Sequence, residues 1–582
     1  MGSTPFLVWT WSAQREYATP RRHPAYDVAV TATAVGTPAD GGGVDDSTLT
    51  DAAPARGTRR TDPPARVTDV RARLLGYQPT DRLWGWLGPG LIALVGGFLR
   101  FWHLDRPHAL VFDETYYVKQ ASSLLQFGTE MRVVSSLKEP DQAFIGGTAN
   151  IFSTVDGDMI VHPPAGKWVL AIGQALFGSD NGWGWRFSVA LVGTLSILMI
   201  GRIARRMFGS TALGCIAAFL LAFEGSHFVM SRTGILDIIV MFFVLAAFGA
   251  LLIDRDRSRE LLAQRVGALP AGTWPEGLGP WLGARPWRWV AGVMLGLACG
   301  TKWSGLFFLA AFGLMTVWWD MGARRAAGVR RWSAGAILRD GPFAALAMVG
   351  TAAVTYVATW TGWFLSSNGY HRHWDTYNPG QGVQWLPSAL RNFVRYHQDM
   401  WNFNTTLATP HPYQSNAWSW MVQTRPTSFY YESPTRGVSG CSVDSCSSAI
   451  NPIGSLPVWW VGVVALLVVA FWWLVRRDWR AGAIAAGIIG GYLPWFLFQG
   501  RTVYTFYAVA FEPWVILAIT FGIGLFLGHR AADPERWHRR VLVVGGYLAF
   551  VLVIFAWNYP VYAASVIPYE QWHWRMWFPS WV

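Results

Sequence analysis

Read from its amino end, the chain shows no sustained apolar period through about residue 80. One long apolar run then follows another as far as Pro560. Crossing a bilayer takes a helix of about 20 apolar residues, and the runs approach that length. Eleven spans are expected, over about 83–104, 183–204, 210–230, 235–253, 287–301, 303–319, 341–365, 457–475, 481–498, 502–528 and 541–560. The fifth is short and meets the sixth at the Gly300–Ser304 break. The expected fold class is an all-α polytopic membrane protein. It divides into a tail over 1–80, a membrane module over 81–365 that includes an external loop at 105–182, a second external loop at 366–456, and a four-helix module over 457–582.

Composition sharpens this. The 582 residues are 52% hydrophobic and 14% charged, where a soluble domain carries about 25% charge. A string of soluble domains is excluded, and four cysteines exclude a disulfide-rich module. The first 80 residues, rich in Ala, Pro, Thr, Asp and Arg, bury too little to fold alone, so a disordered tail is expected. They carry no signal-peptide core, so no cleavage is expected.

The net charge of +12 does not indicate nucleic acid, because the basic residues form short clusters at span ends instead of one basic face. Those clusters orient the chain. With the tail cytoplasmic, Arg202/Arg205/Arg206, Arg255/Arg257/Arg259, Arg324/Arg325/Arg330/Arg331, Arg476/Arg477/Arg480 and Arg536/Arg539/Arg540 all fall inside. The four lysines, Lys119, Lys138, Lys167 and Lys302, fall outside. Cys441 and Cys446, close together in the second external loop, suit a small disulfide, whereas Cys215 and Cys299 read as packing residues.

The candidate chemistry collects on the outer side. A charge in or beside a span is costly and marks either function or an ion pair tying helices together. Arg186, Glu224, Arg232, Asp237, Lys302 and Arg501 are far apart in sequence, yet all map near the outer leaflet, where such a set suits a lipid phosphate. Asp113 and Glu114 open an amphipathic stretch with Tyr117, Ala121, Leu124 and Leu125 at helical spacing. Either acid could be a helix cap, and facing the cations either could be a general base. His162, held by Pro163 and Pro164, and Lys167 open a second amphipathic stretch ending near Phe177. The Asp156-Gly157-Asp158 run reads as a turn, and no ligand cluster calls for a metal.

The stretches FDETYY at 112–117, HPPAGK at 162–167, WRFSVALVG at 185–193 and SRTGILDIIVMFF at 231–243 resemble the protein O-mannosyltransferase family. So do GTKWSGLF at 300–307, HPYQSNAWSW at 411–420, TRPTSFYYE at 424–432 and RTVYTFYAVAFEPW at 501–514. These are the dolichyl-phosphate-mannose–protein mannosyltransferases, membrane enzymes of the GT-C fold. The resemblance implies mannose transfer, without a cofactor, from a polyprenyl-phosphate-mannose donor to Ser or Thr hydroxyls of unfolded secretory proteins. Residues 366–456 leave no room for the MIR domain of eukaryotic members. The implied enzyme is bacterial, of actinobacterial type, working beside the secretion channel at the outer face of the plasma membrane.

On this resemblance Asp113 takes the place of the base, and Glu114 orients acceptor or sugar. Arg186, Arg232, Lys302 and Arg501 stabilise the leaving phosphate, with Arg186 and Arg501 foremost, and Asp237 orients Arg232. His162 and Lys167 complete the substrate site. A single displacement inverts the sugar. Two other readings remain at this stage. One is another GT-C transferase with a different lipid-linked sugar or acceptor. The other is a lipid or solute transporter, which Glu512 within the tenth span fits better.

Overall fold

The computed structural model describes residues 66–582 apart from 77–78, 271–272, 274 and 529–532. Of the stretch read as a tail, residues up to 65 lie outside the described ones, while Arg66–Leu75 is a helix. Val70 and Leu74 on it are buried with Leu262, Ala263, Leu282, Ala323, Ala327 and Val329. The tail reading therefore ends earlier than residue 80, because two apolar side chains find a partner surface that local sequence cannot show.

Among the described residues seven helices are long and apolar enough to cross a membrane: Arg82–Phe101, Gly182–Phe208, Asp237–Gly267, Gly305–Ala326, Trp332–Thr359, Leu456–Leu474 and Pro534–Tyr562. The other four expected spans are shorter helices. Thr211–Ala222 stops just before Glu224, Pro286–Cys299 stops at the Gly300–Ser304 break, and Trp479–Gly491 runs into a 3-10 turn at Leu493–Leu497. The tenth divides into a 3-10 segment, Thr505–Ala510, and a helix, Glu512–Leu527. At 1.5 Å per residue, a helix of 12 residues covers about 18 Å, less than the bilayer core. Three of these interruptions bring polar side chains into the bundle: Glu224, Lys302 and Glu512.

Asp237–Gly267 is the hub. Its apolar positions from Ile238 to Leu252 are almost all buried, so protein surrounds it instead of lipid. Gly487 lets Trp514 lie against the backbone, since a Cβ there would meet the indole ring at 2.2 Å.

The two long loops expected to be external are folded. In the first, Glu114–Phe127 and Ala165–Phe177 are the expected amphipathic helices. Met131–Val133 pairs antiparallel with Phe152–Gly157. The run Asp156-Gly157-Asp158 is thus the end of a strand, not a free turn. Gly157 is required there because a Cβ would sit 2.2 Å from the Tyr370 nitrogen. In the second, Tyr430–Glu432 and Cys446–Ile450 form an antiparallel three-stranded sheet with Ile567–Pro568, which follows the last membrane helix, and Cys441 and Cys446 are disulfide-bonded. Helix Ser388–Thr406 lays Tyr396 and Met400 on Trp360 and Trp363 at the end of Trp332–Thr359.

Candidate active site

Asp113 precedes helix Glu114–Phe127 and makes no capping bond with its side chain. Phe112, just before it, has φ of +48°, a conformation that costs a non-glycine residue about 1–3 kcal/mol and persists only where packing enforces it. The packing is visible. The Phe112 ring stacks on Phe429 at 4.7 Å and meets Phe506 edge-on at 5.5 Å. The strained backbone turns the Asp113 carboxylate inward, where it accepts a hydrogen bond from the Tyr117 hydroxyl and faces Lys302 and Asp237. Burial pushes this carboxyl up to about 6, with Lys302 opposing the shift.

Glu114 is fully buried and saturated. It accepts from Arg186 Nε and Nη2, both at 2.8 Å, from the Val111 N–H at 2.9 Å and from the Gly234 N–H at 2.7 Å. Arg186 spends its remaining donors on the carbonyls of Leu104, Pro107 and Ala109. This corrects two expectations. Glu114 has no oxygen left to orient an acceptor, and Arg186 has no N–H left for a phosphate. Together they fix the loop that carries Asp113.

Arg232 is likewise committed. Its guanidinium donates to the carbonyls of Leu99, Arg100, Trp102 and His103, closing the end of helix Arg82–Phe101. The expected Arg232–Asp237 contact is replaced by Lys302–Asp237 at 2.7 Å. Lys302 sits in the break between two helices, with its ammonium 5.1 Å from the centre of the Tyr507 ring. Lys167 pairs with Glu130 at 2.9 Å, both sealed from solvent, and burial lowers the lysine's affinity for its proton. In this arrangement it is a buried brace.

His162 lies beside this group, 6.1 Å from Tyr117 between ring centres. Burial and the charges of Lys302, Arg501 and Lys167 hold the imidazole neutral. Arg501 donates to the Asn404 Oδ1 at 3.3 Å and, among the described residues, pairs with no carboxylate. Asp113, Asp237, Lys302, His162 and Arg501 are thus brought together, while Glu114, Arg186, Arg232 and Lys167 stand behind them as supports. Tyr117, Tyr507 and Asn404 join the group without having been singled out for it. Tyr117 carried a faint signal, a hydroxyl four positions after Asp113 on one helical face. Asn404 carried none, because its helix is about 100 residues from Arg501.

Comparison with known proteins now bears on the arrangement. Residues 90–266 match the family model described as dolichyl-phosphate-mannose-protein mannosyltransferase, and 389–581 match the C-terminal four-transmembrane region of protein O-mannosyltransferases. The polyprenol-phosphate-mannose–protein mannosyltransferase of Mycobacterium tuberculosis is 37% identical over 87% of this chain and 93% of its own. That of Corynebacterium glutamicum is 32% identical over 85% and 93%. The chain belongs to the protein O-mannosyltransferase family. Its fold agrees with that membership. The Saccharomyces cerevisiae protein O-mannosyltransferase Pmt1-Pmt2 complex, solved with the sugar donor bound, aligns with a TM-score of 0.63, covering 90% of this chain and 95% of that one at 15% identity. The expected GT-C architecture is therefore the one observed. Asp113, His162 and Asp237 fall in the first matched region, Asn404, Arg501 and Tyr507 in the second, so the site is assembled from both.

Proposed function

We propose that the protein transfers mannose from polyprenyl-phosphate-mannose to Ser or Thr hydroxyls of exported polypeptides, at the outer face of the plasma membrane and near the secretion channel. The observation that carries the mechanism is the state of the three central carboxylates. Glu114 is saturated by Arg186 and two backbone N–H groups and Asp237 is paired with Lys302, whereas Asp113, among the described residues, accepts only from Tyr117 and is free to take a proton. An acceptor hydroxyl is a poor nucleophile, so deprotonation by Asp113 as it attacks the anomeric carbon lowers the barrier.

Cleavage leaves a phosphate monoester with added negative charge. Arg501, which pairs with no carboxylate among the described residues, and Lys302 would stabilise it. Neutral His162 can donate or accept at the same phosphate. A retaining route needs a second free carboxylate as nucleophile, and neither Glu114 nor Asp237 is free, which favours single displacement with inversion. The step assigns no role to a cofactor or metal.

The test is transfer of radiolabelled mannose from polyprenyl-phosphate-mannose to a Thr-containing peptide by the purified protein, beside Asp113→Asn. Transfer by the parent and none by the variant is expected. Comparable turnover in both removes Asp113 as the base, and no transfer by the parent removes the donor or acceptor class.

A further inference from the structure

Glu224 and Glu512 lie away from the site, both fully buried, one in each of the two regions matched by family models. Glu224 caps the short helix Gly225–Met230 by accepting from the His227 N–H at 2.7 Å. It also accepts from the Ser455 N–H at 2.8 Å and the Trp459 Nε1–H at 3.0 Å, both in the second matched region. Glu512 opens helix Glu512–Leu527 and, among the described residues, receives no N–H or hydroxyl hydrogen on either oxygen. What it meets is the carboxyl of Glu224, at hydrogen-bonding reach.

Two carboxylates cannot touch in a buried site unless a proton lies between them. Charge counting agrees. The cation facing the pair is Arg100, which bonds the carbonyls of Gly96, Leu221 and Ala222 and the Nδ1 of His227 at 2.8 Å. That bond leaves His227 neutral, and Arg232 nearby is committed to carbonyls. One cation balances one carboxylate, so the other is an acid. Three N–H donors favour the ionised form of Glu224, which leaves the proton on Glu512.

We propose that Glu512 is a positioning residue held as a neutral carboxylic acid, donating its hydrogen to Glu224 and clasping the two halves of the enzyme. The clasp sets the register of two stretches that both end at the site. Residues 224–237 run from Glu224 to Asp237, and residues 501–512 run from Arg501 through Tyr507 to Glu512. Asp237 of the first and Tyr507 of the second both meet Lys302, and Glu224 and Glu512 meet at the clasp.

The effect on activity rests on the proposed mannosyl transfer, so the experiment has an arm that needs no substrate. Infrared spectra of purified protein labelled with carboxyl-13C glutamate are compared between the parent and Glu512→Gln. A carboxylic-acid C=O band present in the parent and missing from the variant is expected, and identical spectra overturn the proposal. In the transfer assay, Glu512→Gln, which keeps a hydrogen donor of the same shape, should stay within about twofold of the parent in kcat/KM. Glu512→Leu leaves Glu224 without that donor and should raise the donor KM about tenfold. A Gln variant as impaired as the Leu variant overturns the proposal, and it does so even if the Leu variant fails to fold.

Discussion

Asp113, the proposed base, is held where a carboxylate is uncomfortable. With its carboxyl pushed up to about 6, kcat/KM should rise with pH to a plateau, with a midpoint at about 6, as the carboxyl ionises. The sign for stability is opposite. An unfolded Asp titrates at about 4, so folding loses stability as pH climbs through the window from there to about 6. Asp113→Asn removes that loss and should melt higher than the parent at pH 7, with the difference vanishing toward pH 4. Two arginines separate binding from support. Arg501→Ala should weaken donor binding about tenfold in a titration while leaving the melting temperature nearly unchanged. Arg186→Gln breaks a buried pair around Glu114 and should cost about 3–5 kcal/mol of stability, read as a large drop in melting temperature. The sequence showed that these cations converge on one face. It did not show which were already spent, since the carbonyls of residues 99–103 that engage Arg232 carry no side-chain signature.

Among the elements, the short helices were the least legible. Apolar content marks a stretch as membrane-embedded, but interruption depends on where a buried carboxyl or lysine finds its partner. Glu224, Lys302 and Glu512 each have theirs more than 60 residues away in sequence. The Gly300–Ser304 break was readable because its glycine and polar residues signal it locally. The brace between Lys167 and Glu130 was half readable, for the lysine stood out and its partner did not. It joins helix Ala165–Phe177 to the start of the strand pair in the first loop. Lys167→Met or Glu130→Gln alone strands a buried charge, while the double substitution strands none. Melting curves should therefore show each single variant less stable than the double.

For the whole molecule, the basic clusters and the folded loops imply one orientation. Val155 on the first long loop and Arg330 between two membrane helices are both exposed. A cysteine replacing Val155 should react with a membrane-impermeant maleimide on intact cells, and one replacing Arg330 should react only after lysis. Labelling in the reverse order would turn the molecule over and place the site inside.

Helix Asp237–Gly267 ends its life surrounded by protein, yet its neighbour Glu512–Leu527 is synthesised some 250 residues later. At about 5–20 residues per second, the nascent hub waits tens of seconds with lipid where that partner will be. Its surface must be acceptable to hydrocarbon first and to a helix afterwards, so selection during biosynthesis erases the difference between a central and a peripheral span. A chain stalled before residue 512 should leave this helix inserted but with its Phe248 face open to hydrocarbon, where Trp514 packs in the finished enzyme.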